Sequence, residues 1–285
     1  MKRKTKEAFF FLLFRFSAML VVASLTIIIG FVVINGVGKL SIDFLTQNPM
    51  PNNHGALVAG GILSPIIGTM MLMGLVLLIS IPIGVLSSIF LVEFLGSSRI
   101  ARIWWIVVDN LAGVPSIVWG LLGLALFVYY LHFGLSLIAA GITLSLLVLP
   151  LIMVATKQAI EAVPSSIREA SISMGATRLQ TIRHHVLPYS ASGIMTGIIL
   201  SMSRAAGETA PLLIVGVAVN ASIPASLTDQ FQAIPAYIYF TWQSSDFVQG
   251  YKMAYAAALV LIALIIGMNL TAILLRNHYR NKYRW

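Results

Sequence analysis

Six long apolar stretches, at about 9–34, 66–92, 104–130, 135–155, 189–216 and 253–275, alternate along the chain with shorter polar segments. A spanning helix needs about 20 largely apolar residues, so each stretch predicts one crossing and the whole predicts an all-α integral membrane protein of six transmembrane helices. The first stretch follows the basic start Met1-Lys2-Arg3-Lys4-Thr5-Lys6, but no A-x-A-like cleavage site closes a short core. It therefore reads as a retained span rather than a secretory signal. The regions this pattern delimits are 1–34 (amino-terminal segment and first span), 35–65 (external loop), 66–275 (membrane core, with an organised loop at 161–188) and 276–285 (basic tail).

Charge sets the expected orientation. Fifteen of the eighteen Lys and Arg residues fall in the amino-terminal segment, around Arg99 and Arg102, in the loop 156–188 or in the tail. The opposite side has only Lys39 and Lys252, and Arg204 lies inside a span. The positive-inside rule then makes both termini cytoplasmic and places 35–65 and 217–252 outside. The net charge of +9 is accounted for by topology, which leaves little weight for nucleic-acid binding. Only 9% of residues are charged, against roughly a quarter in soluble domains. With no cysteine there is no disulfide framework and no thiolate chemistry.

The loop 156–188 carries local structure. Ser166-Ile167-Arg168-Glu169 fits a capping box and predicts a short helix with Ile167, Ala170 and Met174 on one stripe. Gly175 is placed to end it, and Thr177-Arg178-Leu179-Gln180 to start a second helix that carries Leu179, Ile182 and Val186 on one face and stops near Pro188. Pattern alone leaves open an amphipathic segment lying on the lipid surface. Residue identities add to this: Glu169-Ala170-Ser171, Gly175 and Leu187-Pro188 are spaced as in the EAA loop of ABC importer permeases, E-A-A-x3-G-x9-I-x-L-P, with Ser171 at the third position and His185 in place of isoleucine. The fifth stretch contains Ser203-Arg204-Ala205-Ala206-Gly207-Glu208-Thr209-Ala210-Pro211. Together with Ala112-Gly113-Val114-Pro115-Ser116, it resembles the phosphate-specific permeases of the PstA and PstC pair over about residues 60–275, and the short amino terminus favours the PstA type.

The resemblance implies a type I ABC importer permease fold with cytoplasmic coupling helices, and an ATPase docking site at Glu169, Ala170, Gly175, Leu187 and Pro188. Its implied partners are a second homologous permease, a dimeric ATP-binding cassette ATPase, an extracytoplasmic phosphate-binding protein and membrane lipid. No cofactor is implied, and the chain is expected not to be an enzyme: Gly38-Lys39 is followed by Leu40 and has Val33 where a P-loop glycine should stand.

Arg204 near the membrane midplane costs at least about 2.5–3.5 kcal/mol unpaired, so it should face the bundle interior with Glu208 one helical turn away. Two readings stand: a donor fork for a passing oxyanion, or a buried ion pair bracing the bundle. Sulfate or molybdate permease, proton-coupled carrier and non-transport scaffold are the rival functions. Gly193 and Gly197 read as close helix packing. Pro115, Pro150 and Pro211 should bend or break spans, with Pro211 beside the path. Asp109 reads as a water-reaching or capping residue, and the aromatic segment 231–242 as either a surface helix or a contact for a delivery protein.

Overall fold

The computed structural model describes residues 2–51, 57–219, 221–244 and 247–282. Helix α1 (Lys2–Gly36) leads through a 3₁₀ turn to α2 (Ile42–Thr46) and a short ribbon of β1 (Pro49–Pro51) antiparallel to β2 (Leu57–Gly60). Helix α3 (Leu63–Ile89) continues as a π-turn over Phe90–Leu95. After α4 (Arg99–Ala112) and α5 (Ser116–Gly123, extended by a π-turn to Tyr130) comes α6 (Leu137–Glu161). Helices α7 (Ser165–Ser173), α8 (Arg178–Thr181) and α9 (Leu187–Ala206) follow, then α10 (Ala210–Val215), α11 (Ile234–Trp242) and α12 (Phe247–Lys282).

Among the described residues five helical segments are long and apolar enough to cross a membrane: Glu7–Lys39 (α1 and its 3₁₀ turn), Leu63–Leu95 (α3 and its π-turn), Leu137–Glu161 (α6), Arg178–Ala206 (α8–α9) and Gln249–Leu274 (in α12). The expected third span is not one helix. α4 and α5 meet at a 100° bend, because Pro115 has no N–H to donate and its ring disfavours a helical Val114. The broken pair nevertheless runs antiparallel to α6 from end to end. Lys157 sits 4.5 Å over the Trp105 ring and Met153 clusters with Val108, while Gly123 abuts Thr143 and Phe127 clusters with Ala139. The pair thus makes the sixth crossing. Pro150, by contrast, sits inside an α6 that continues through it.

Helix α6 is the axis of the bundle. Leu144, Val148 and Ile152 are at most 1% exposed and join Leu72 and Val76 of α3 with Met202 and Ala205 of α9 in the main core. Every residue of α1 from Glu7 to Ile29 is exposed, and the end of the helix packs on α12, with Phe31 edge-on to Tyr255 at 5.6 Å. The aromatic segment 231–242 is not a surface helix. Phe231 and Tyr237 are buried, and the Ile234 N–H donates to Thr69 Oγ1 at 2.9 Å, which draws α11 into the end of the bundle opposite the loop at 161–188. Tyr239 and Trp242 alone of its large aromatic side chains face outward.

Candidate functional site

The loop after α6 forms a helix, a bend and a helix, but its caps differ from expectation. The first turn of α7 closes on Pro164, whose carbonyl accepts from Ile167 N–H at 3.2 Å. Ser166 and Glu169 are therefore inside the helix, and the Ser166 capping box does not form. The Thr177 box does: Gln180 N–H donates to Thr177 Oγ1 at 3.3 Å and Thr177 N–H to Gln180 Oε1 at 2.8 Å. Between the two helices Gly175 adopts φ +85°, and Ala176 N–H donates to Ser171 O at 3.2 Å.

Helix α8 does not stop at Pro188. It passes through a π-turn at Ile182–Val186 directly into α9, with Pro188 in the first turn. A wider turn there relieves the clash that a proline ring otherwise makes with the carbonyl four residues back.

The expected apolar stripes are also split. Ile167 packs with Ile160, Ile182 and Val186, but Met174 is 88% and Leu179 66% exposed. Glu169, Ala170 and Ile172 are exposed beside them. Large apolar side chains around the bend, standing clear of the bundle, form a surface that the described residues leave uncovered. Leu187 and Pro188, half-buried, lie at the base of α9 rather than on that surface. Ser171, which departs from the EAA pattern, is buried with its Oγ 3.0 Å from Thr181 Oγ1, tying α7 to α8.

The second site lies on α9. Gly193 faces Ala159 and Gly197 faces Ala155. This register brings Arg204 level with the middle of α6, where its neighbours Met202 and Ala205 cluster with Leu147 and Val148. Its side chain is 45% exposed and makes no hydrogen bond to a described residue; Nε stands 3.7 Å from Glu208 Oε1. Glu208 is 14% exposed but is not on the same helix. α9 ends at Ala206, Gly207 N–H turns back to Arg204 O at 3.1 Å, and α10 begins at Ala210. The expected fifth span to 216 is thus broken between the two charges, because Pro211 cannot donate to a continuing helix.

Pro211 is buried against Gly120 and Trp119 packs with Leu212, so Pro211 holds α10 to α5 rather than lining an open space. α10 runs parallel to α5, with Pro211 against Gly120 and Val215 beside Phe127. Asp109 is exposed in the last turn of α4. Among the described residues no group of His, Cys, Asp and Glu could hold a metal ion.

Sequence reasoning misses Glu93. Its side chain is 8% exposed and accepts from Arg168 Nη2 at 2.8 Å and Nε at 3.1 Å. A lone acid in the apolar run Phe90-Leu91-Val92-Glu93-Phe94-Leu95 is the available signal, since ionisable residues at such depth pair or act.

A polytopic helical bundle with a central charged pair and an exposed helix–bend–helix on one end defines a membrane permease. Residues 80–284 match the model of the binding-protein-dependent transport system inner membrane component family, and the chain belongs to that family. It is 34% identical over 218 residues to phosphate transport system permease protein PstA 1 of Mycobacterium tuberculosis (strain H37Rv), covering 76% of this chain and 70% of that protein. To the phosphate transport system permease protein PstA of Haemophilus influenzae it is 33% identical over 245 residues, 85% of this chain and 84% of that one. The inward-facing structure of the MetNI methionine ABC transporter superposes with a TM-score of 0.58 at 17% identity, covering 77% of this chain and 94% of that chain. The fold is that of a type I ABC importer permease in the inner membrane.

Proposed function

We propose that this chain is a transmembrane subunit of an ATP-driven importer of inorganic phosphate. It pairs with a second permease, docks on a dimeric ATP-binding cassette ATPase through Glu169, Ala170 and the exposed apolar residues around Gly175, and receives phosphate from an extracytoplasmic binding protein. Both termini are cytoplasmic, and ATP is hydrolysed by the partner. The names of the relatives supply the substrate class. The observation that carries the site is Arg204: a guanidinium level with the middle of the bundle, half-exposed, with its planar donors unspent on this chain's described residues. Such a fork suits a tetrahedral oxyanion. Glu208 balances the charge between passages from a separate turn, close enough to attract and too far to hydrogen-bond. Because α8 runs into α9, movement of the docking loop carries Arg204 with it and exposes the site to alternate sides.

The test is transport by reconstituted complexes. Arg204→Met combined with Glu208→Gln removes both charges together, so that neither is left without its partner. It should assemble and move almost no phosphate, and Arg204→Lys should be severely impaired because an ammonium lacks the planar fork. Wild-type flux in the double variant makes the pair a brace. Competition of labelled phosphate uptake by sulfate and molybdate decides the oxyanion.

A further inference from the structure

The docking loop is joined to the spans covalently at both ends, by the short link from α6 and by α8 continuing into α9, and it packs on them through Ile167, Ile182 and Val186 against Ile89 and Ile160. Its directional polar connection is the Arg168 guanidinium on α7. Nη2 donates to Glu93 Oε1 at 2.8 Å and to Ile160 O at 2.9 Å, Nε to the same carboxylate oxygen at 3.1 Å, and Nη1 to Val163 O at 2.6 Å. One side chain thus binds the π-turn that ends α3, the last turn of α6 and, through Val163, the short link between α6 and α7. Glu93 is buried, so its charge has no substitute partner in water, and the π-turn that contains it is a local departure of the kind that marks functional positions. Ser171 and Thr181 then hold α7 against α8, so the loop moves as one body.

We propose that Arg168 and Glu93 are positioning residues that form a clamp: they pass the displacement of the docking loop into α3 and α6, so that these helices move together with α9. This deepens the transport reading and rests on it. Docking is assigned to the exposed side of the loop, and the clamp lies on its bundle side. Its loss should therefore uncouple ATP hydrolysis from transport without preventing assembly.

Glu93→Gln and Arg168→Lys are to be compared with wild type in the full reconstituted complex, reading assembly, ATP hydrolysis and phosphate uptake. Both variants should assemble and hydrolyse ATP, with phosphate moved per ATP falling by about fivefold or more, the low end of coupling between sites. Uptake and hydrolysis that fall together at an unchanged ratio, or a wild-type ratio in both variants, overturn the clamp. Failure of either single variant to assemble is met by Glu93→Cys with Arg168→Cys, bridged by a reversible bis-thiosulfonate linker in this otherwise cysteine-free chain. The bridge should restore the ratio and reductant abolish it, and no difference between the two states also overturns the proposal. If wild type hydrolyses ATP yet moves no phosphate, the substrate reading fails alone. Spin labels at exposed Leu78 of α3 and Leu200 of α9 then decide the clamp. Their separation should shift with ATP only when the clamp is lost, and a shift of equal size in wild type refutes it.

Discussion

Arg168 spends its guanidinium on one carboxylate and two carbonyls, whereas Arg204 makes no hydrogen bond to a described residue, and the mechanical role proposed for the first and the binding role proposed for the second rest on this difference. Gly175 supplies a second case at the same scale. Its φ is +85° and a Cβ added there would meet nothing within 4 Å, so only backbone strain opposes substitution. Left-handed backbone costs an L-residue about 1–2 kcal/mol, with asparagine tolerating it and β-branched residues faring worst. Gly175→Asn should therefore keep coupled phosphate uptake, while Gly175→Val should displace α8 and lose most uptake or ATPase co-purification. Equal behaviour of the two variants would show that the turn is not held in this conformation. Gly175 and the Thr177 box are legible in the sequence because their signals are local. The Ser166 box misleads, because Pro164 offers a competing start two residues earlier. Glu93 escapes sequence reasoning because its partner lies 75 positions away in the chain.

Among elements, the α6–α9 contact decides how rigidly Arg204 is presented. A Cβ at Gly197 would overlap that of Ala155, and one at Gly193 would stand 2.7 Å from that of Ala159. Gly197→Leu should force the helices apart at a cost of about 1–3 kcal/mol, as overpacking does. It should lower the thermal midpoint of the purified complex, and Ala155→Gly in the same chain should recover part of the loss. An unchanged midpoint in the single variant contradicts the contact. The G-x-x-x-G spacing makes this packing readable, since small residues four apart share a helix face. Helix breaks are less so. Pro82 and Pro150 lie inside continuous helices, while Pro115 and Pro211 stand at the starts of new ones. The residue type is common to all four, and the outcome follows from what packs around each: Pro211 is seated against Gly120 of the parallel α5, a tertiary contact no periodicity encodes.

At the scale of the whole molecule, the number of crossings depends on the α4–α5 pair. Hydropathy makes 104–130 a single span, and the 100° bend raises the alternative of a re-entrant hairpin, which would put the two termini on opposite sides. The ladder of contacts along α6, from Lys157 beside Trp105 to Ala139 beside Phe127, favours a full if crooked crossing. The basic residues agree, because an even count gathers the amino-terminal segment, the loop 156–188 and the tail on one side. Single cysteines answer cleanly in a chain that has none of its own. Ile42→Cys and Leu227→Cys, exposed at one end of the bundle, should react with an impermeant thiol reagent applied to spheroplasts. Thr5→Cys, Met174→Cys and Asn281→Cys should react only in inside-out vesicles. Labelling of Thr5→Cys in spheroplasts, with Met174→Cys and Asn281→Cys still protected, would mean that α4 and α5 enter and leave by the same face. The helices from α6 onward would keep their orientation, and α1, α2 and α3 would be inverted. Arg168 could not then reach Glu93, because α3 would end on the far side of the membrane from α7. The 2.8 Å contact between them is thus itself a constraint on topology, and it requires the α4–α5 pair to cross.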